Sequence, residues 1–356
     1  MGPHEALALF DLSLATDRGL ALTRTLLDAV RADPLGVSAP SASEDELTRF
    51  ETRHRLRPLV AAQFPTPERR RAMVDLTRSQ LHLVATARRV CRWLDDAGIQ
   101  TRVLKGLATA EVDYAAPQLR QTGDVDLLVA RHDYERAALI IRDNGCEPLA
   151  RRGAPGAVLK GSAFRTSDGV EIDLHFRISR YASSPADEPL FGSGAVLPAR
   201  LLALDREGRL VHAAVHSLDT AAPDRRLSSV ADLVAIIDNH DVEWEHARHV
   251  ADRLGLTGLA GAAFRAEAAI TGRAPHPGLE WPPPSWLVSR AFLTTRRRLG
   301  SEHLVAIAAL PSRSAQLTYV RGWLLPPDAT VDVYGGRTRY VQRLAGKLVG
   351  RSSGLA

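Results

Sequence analysis

The sequence predicts an α+β protein in which a small mixed sheet with helices lies between two helical regions. Three observations predict it. Up to about residue 96 the chain keeps a 3.6-residue apolar rhythm; from there to about 180, short β-branched runs alternate with helical stretches and end in a hairpin pattern; beyond, the helical rhythm returns. At 356 residues the chain is too long for one ordinary core and suits two or three modules. The boundaries fall at 1–96 (helical), 97–180 (α/β core) and 181–275 (helical, packing on the core), followed by a basic region at 276–356.

Each element carries its own signal. "ALTRTLLDAVRAD" and "RSQLHLVATARRVCRWLDDAG" are helices, the second stopped by Gly98. The loop between them ends in a capping box, Ser43 with Glu46 three residues on. "IQTRVL" is a strand, "KGLATAEVDY" a short helix and "AAPQLRQTG" a loop. "DVDLLVA" is a second strand, bounded by Gly123. In "HDYERAALIIRDNG" Tyr134, Ala137, Ala138 and Ile141 share one helical face and Gly145 caps it. "AVLKGSAFRTSDGVEIDLHFRIS" is a hairpin turning at Asp168-Gly169. Beyond a loop, Leu227, Val230, Ala231, Val234 and Ile237 form one helical stripe. Trp244, Ala247, Ala251 and Leu254 form another, stopped by Gly255. "PHPGLEWPPPSW" is a proline-rich break, a linker or a rigid loop.

Composition excludes several classes. No apolar run nears the roughly 18 residues of a membrane helix, and the start lacks the basic segment of a signal peptide. Two cysteines, Cys91 and Cys146, build no disulfide framework; a cytoplasmic protein is expected. The charge of +5 is uneven: from Val288 on, 11 Arg and Lys stand against 3 Asp and Glu, a net +8. That segment suits an anionic partner such as RNA, or is simply a solvated basic surface. Lysine is scarce, at Lys105, Lys160 and Lys347 only, against 43 arginines. A compact ammonium among so many guanidiniums points to a position that needs one.

The chemistry concentrates in "RQTGDVDLLVA", residues 120–130. Alternate side chains of a strand share a face, so Asp124 and Asp126 point the same way, about 6.6 Å apart, while Val125 and Leu127 enter the core. In "VEIDLHF", Glu171, Asp173 and His175 share a face in the same manner. If the two strands are neighbours, the carboxylates converge and repel unless neutralised. Oxygen ligands with room for water suit Mg²⁺. Two such ions about 3.5–4 Å apart support in-line phosphoryl displacement. Gly106 opens a helix whose free N–H groups can meet a phosphate, Lys105 adds a point charge, Arg120 a forked donor, and Gly123 a close backbone approach.

The motif string "LKGLATAEVDY…LRQTGDVDLLV…VEIDLHFRIS" resembles the uncharacterised bacterial nucleotidyltransferase family of the DNA polymerase β-like superfamily, related to antitoxin-paired nucleotidyltransferase toxins. The likeness runs from about 95 to 275, including "HAAVHSLD…RRLSSVADLVAII". Asp-x-Asp alone is a common pair; joined to the upstream Lys-Gly, the Arg and the downstream Asp-Leu-His it is fairly specific. Lys105-Gly106 stands where the superfamily more usually has Gly-Ser. The resemblance implies a minimal polymerase β-like nucleotidyltransferase core. Asp124, Asp126 and Asp173 would be its metal-binding and catalytic carboxylates, and Lys105 and Arg120 its phosphate contacts. It implies an NTP substrate, two Mg²⁺ ions for which Mn²⁺ can substitute, and release of pyrophosphate.

Alternatives stand beside these readings. Lys105 and Arg120 can instead form ion pairs with the aspartates. His175 is a base, a metal neighbour or, more commonly for such a residue, a hydrogen-bonded packing group. Lys160 reaches the triphosphate or lies on the surface. His212 and His216 have the spacing of zinc ligands but no evident third partner, which favours packing or substrate contact. The expected function is transfer of a nucleoside monophosphate to a small molecule, peptide or protein. A toxin-like enzyme acting on tRNA and a non-catalytic nucleotide-binding relative are the alternatives.

Overall fold

The structure is a computed structural model that describes residues 1–31, 41–149, 161–179, 181–182, 190–192, 194–219 and 225–285, with isolated positions beyond. It is a mixed α+β protein with a five-stranded sheet and eleven α-helices among the described residues. Five helices come first: α1 (Pro3–Ala8), α2 (Asp17–Asp28), α3 (Glu44–Thr52), α4 (Arg57–Gln63) and α5 (Pro67–Asp95). Their starts follow capping chemistry. Thr16 accepts from the Gly19 N–H, Ser43 and Glu46 close the expected box, and Thr66 precedes Pro67 at the head of α5.

Then come β1 (Thr101–Val103), α6 (Lys105–Val112), β2 (Val125–Val129), α7 (Tyr134–Asp143), β3 (Glu147–Leu149), β4 (Gly161–Arg165) and β5 (Glu171–His175). The expected order of strand, helix, strand, helix and hairpin is present, with Gly169 at φ 88° in the hairpin turn. β3 is an addition. It is three residues long, largely exposed and contains Pro148, which a sheet accepts at the edge this strand occupies. The sheet runs β1-β2-β5-β4-β3; β2 and β5 are parallel and the other pairs antiparallel.

The sheet separates two apolar cores. Val125, Leu127, Val129, Ile172 and Leu174 pack with the inner faces of α5 and α7. Leu128, on the opposite face of β2, joins a second core built from both helical regions. That core includes α8 (Arg206–Asp219), α9 (Ser228–Asn239), α10 (Trp244–Arg253) and α11 (Thr257–Thr271) together with α1 and α2. Helices that precede and follow the sheet in sequence therefore share one interior. Over its described part the proline-rich break packs on the helical core: Trp281 is buried edge-on to Phe264, and its carbonyl accepts from Arg265 at 2.8 Å.

Both cysteines are free; Cys146 is buried, and burial pushes the Cys91 thiol up to about 12. No helix among the described residues is long and apolar enough to cross a membrane. Lys160 and nearly all of the basic C-terminal region lie outside the described residues.

Candidate active site

Asp126, the second residue of β2, and Asp173, at the middle of β5, are directly paired in register, and Leu128 pairs with His175 two residues on. The three side chains share the sheet face turned to the helical core, and their ligand atoms lie within 4.8 Å of one another. All are buried, with 4%, 6% and 6% exposure for Asp126, Asp173 and His175. The period-2 reading of both strands thus places carboxylates as expected, because Val125, Leu127, Ile172 and Leu174 claim the opposite face.

One oxygen collects two donors. Asp126 Oδ1 accepts from Lys105 Nζ at 2.6 Å and from His175 Nε2 at 2.8 Å. A carboxylate offers no proton, so the histidine carries its own on Nε2. Burial alone would raise the Asp126 carboxyl, but the Lys105 charge and the His175 hydrogen bond outweigh it and hold the group well below the usual range. Burial pulls Lys105 down, and Asp126 more than compensates, leaving it raised. Lys105 opens α6 at φ 46°, a left-handed backbone that side chains rarely adopt and that concentrates at functional positions.

Asp124 stands one residue before β2, half-buried and outside the 4.8 Å group. Burial and the neighbouring Asp126 raise its pKa against Lys105, Arg55 and Arg120. The closest acidic set is therefore Asp126 and Asp173 with a histidine nitrogen, rather than three carboxylates. Two buried carboxylates and an imidazole fit a divalent cation in both charge and donor type. A second group of potential ligands, Asp205, Glu207 and His246, is occupied in part by helix ends: Asp205 accepts the Gly208 N–H and Glu207 accepts that of Glu243.

The remaining expected residues divide. Gly106 is buried, and a Cβ there would lie 2.7 Å from Thr122 Cγ2, so close packing accounts for this glycine. Gly123 is exposed, with the Arg55 guanidinium beside it. Arg120 is held by Asp232 of α9, Nε to Oδ1 at 2.6 Å and Nη2 to Oδ2 at 2.9 Å, while a third N–H meets the Gln121 carbonyl. The ion pair of this arginine is with a carboxylate from the helical region rather than with an aspartate of the strands. Tyr114 donates to the same Asp232 at 2.9 Å.

Next to Lys105 a small pocket is lined by Thr109, Arg209, His212, His216 and Asp232. His212 and His216 lie one turn apart on α8, their rings 6.1 Å from centre to centre. They belong to no metal-binding group among the described residues. Sequence reasoning passed over Asp232 and Arg55. A lone acid inside "SSVADLVAII" was a visible signal for the first; nothing local marks the second among 43 arginines.

A mixed sheet with paired acids at its centre, a lysine on one of them and a helical region beside it make an α+β protein with a buried acidic site. The chain belongs to the family described as "Uncharacterised nucleotidyltransferase", whose profile matches residues 40–271. Among solved structures it is similar to an antigenic nucleotidyltransferase-like protein from Paracoccidioides brasiliensis. The two are 14% identical with a TM-score of 0.32, over 55% of this chain and 96% of that one. No curated protein matches the chain.

Proposed function

We propose that the protein is a metal-dependent nucleotidyltransferase that moves a nucleoside monophosphate from an NTP to an acceptor hydroxyl or phosphate, releasing pyrophosphate. The observation that carries this reading is the register of two buried aspartates, Asp126 opposite Asp173 on adjoining parallel strands. Such a pair is costly without a cation and useful with one. Asp126 and Asp173 would hold Mg²⁺, or Mn²⁺ in its place, with His175 or Asp124 completing the set. When bound, the ion supplies Lewis acidity and charge neutralisation at the reacting phosphate.

The chain's own groups carry the rest. Asp173 is the candidate acceptor of the proton from the attacking hydroxyl. Lys105, already the cation at Asp126 Oδ1, is placed to turn to phosphate oxygens once that charge is met otherwise. Arg120 acts through Asp232 as a positioning residue that fixes the loop leading into Asp124 and Asp126. In this reading residues 97–180 form the catalytic core and 181–275 the helical region over it, and the enzyme works in the cytoplasm.

The test is transfer of label. The protein is incubated with each α-³²P NTP and Mg²⁺, with total tRNA in one arm and cell extract in the other. Label should pass to an acceptor with pyrophosphate release, and Asp173→Asn should abolish it. The location of the label separates a small molecule or protein acceptor from tRNA. No incorporation in either arm, together with no metal-dependent NTP binding, overturns the proposal.

A further inference from the structure

Arg55 occupies the turn between α3 and α4 with a backbone φ of 54°. Glycine is the usual residue for a left-handed turn after a helix, and a branched chain of atoms at Cα is strained there. The turn is pinned on both sides. Leu56 N–H donates to the Phe50 carbonyl at 3.0 Å, Ser228 N–H to the His54 carbonyl at 3.3 Å, and Leu227 N–H to His54 Nδ1 at 3.4 Å. These bonds stitch residues 54–56 to the head of α9 and set Arg55 beside Arg226.

The Arg55 guanidinium points at the acidic site. A Cβ built on Gly123, the residue before Asp124, would be 3.8 Å from Arg55 Nη1. The charges that act on Arg55 are Arg226, Asp124, Arg120 and Asp126. Three guanidiniums thus gather at one edge of the carboxylates. Arg120 is neutralised by Asp232. Arg55 and Arg226 are each half-buried and have no side-chain hydrogen bond or ion pair among the described residues. Asp124 and Asp126 offset part of the positive charge around Arg55, and an anion between Arg55 and Arg226 would offset the repulsion between the two guanidiniums.

We propose that Arg55 and Arg226 form an anion clamp for phosphoryl oxygens at the edge of the Asp124–Asp126 site. The proposal rests on the nucleotidyl-transfer reading and adds to it residues from the N-terminal helices and the head of α9. A guanidinium fork matches phosphate geometry with two parallel donors, and two forks match a polyphosphate chain or a terminal phosphate. The phosphate belongs either to the nucleotide or to a phosphorylated acceptor. Residue 55 falls within the family match, so the turn is part of the same unit as the acidic strands.

The experiment measures binding by calorimetry in the full-length protein with Mg²⁺ present. The probes are an NTP, inorganic tripolyphosphate, and an oligoribonucleotide with and without a 5′-phosphate. Wild type is compared with Arg55→Gln, Arg55→Lys and Arg226→Gln. Losing a charge-assisted contact should weaken binding about tenfold or more in the glutamine variants, with lysine keeping part of the affinity. A loss on NTP and tripolyphosphate assigns the clamp to the nucleotide; a loss confined to the 5′-phosphorylated oligonucleotide assigns it to the acceptor. Changes under twofold on every probe overturn the clamp. If wild type binds tripolyphosphate through these arginines but no NTP, the clamp stands and the nucleotidyl-transfer reading falls. Arg55→Gly guards against a purely structural role. It should keep or raise Tm while weakening the same probe, whereas a lowered Tm with unchanged affinity also overturns the proposal.

Discussion

Arg120 and Asp232 meet through two nearly parallel hydrogen bonds, 2.6 and 2.9 Å long, although 112 residues separate them in the chain. Both side chains are largely buried. The pair joins the loop that leads into β2 to the middle of α9, so the acidic strand and the helical region form one mechanical unit. Removing one partner leaves a buried, uncompensated charge. Asp232→Ala should therefore cost about 3–5 kcal/mol in urea unfolding. The double variant Arg120→Met/Asp232→Leu should recover much of that loss, because it deletes both charges at similar volume. A double variant no more stable than Asp232→Ala would refute the pairing as the cause.

Gly106 makes a second prediction from geometry alone. A methyl group there would stand 2.7 Å from Thr122 Cγ2 and 2.9 Å from its Oγ1, both on a side chain that is itself packed. Overpacking of this kind costs about 1–3 kcal/mol. Gly106→Ala should lower stability by that amount, and Thr122→Ala in the same chain should restore most of it. Equal thermal midpoints for Gly106→Ala with and without the second change would show that the clash is not the reason.

These contacts show what a sequence can and cannot carry. Asp126 and Asp173 were legible because each interrupts an apolar strand at the right parity; their partnership needed only that the strands be neighbours. Lys105 was legible through the scarcity of lysine. Arg120 was legible as important, yet its partner was not, since Asp232 lies on an element whose packing no local pattern specifies. β3 carried no strand signal in "EPL", because an exposed edge of three residues needs neither alternation nor β-branching. Arg55 became visible only when the turn of α3 met the head of α9. Long-range register is where single-sequence reasoning stops, and half of this site depends on it.

The acidic cluster predicts a stability response to metal. Asp126, Asp173 and His175 lie within 4.8 Å of one another, so a divalent cation that binds the folded chain should raise its Tm. At a concentration near 100 times Kd the gain is about 2.7 kcal/mol. Asp173→Asn should remove the response, because it takes away one of the two carboxylates that face each other across the strands. His175→Gln should weaken the Mn²⁺ response more than the Mg²⁺ response, since imidazole suits the softer ion. A chelator should return each wild-type curve to its starting midpoint. Metal responses in Asp173→Asn equal to wild type would remove the cluster from consideration as the ion site.

A pH prediction comes from His54, which is fully buried between α3 and α4. Its Nδ1 accepts the Leu227 N–H at 3.4 Å, which leaves the proton on Nε2, 3.3 Å from Asp11 Oδ2. Burial pushes its pKa from 6.5 down to about 4, against the pull of Asp11. The unfolded chain takes up the proton near pH 6.5 and the folded chain does so only near 4. Between those values the unfolded state binds more protons, so stability must fall as the solution is acidified. The contribution is complete above pH 6.5 and lost by about pH 4, a change of about 3 kcal/mol. His54→Asn keeps an acceptor for Leu227 and removes the titration. Its urea-unfolding free energy should start lower, yet decline less steeply between pH 6.5 and 4 than that of wild type. Parallel profiles for the two proteins would mean that acid acts elsewhere in the fold, and the join between the α3 turn and the head of α9, on which the Arg55 clamp depends, would then be insensitive to the charge of its own histidine.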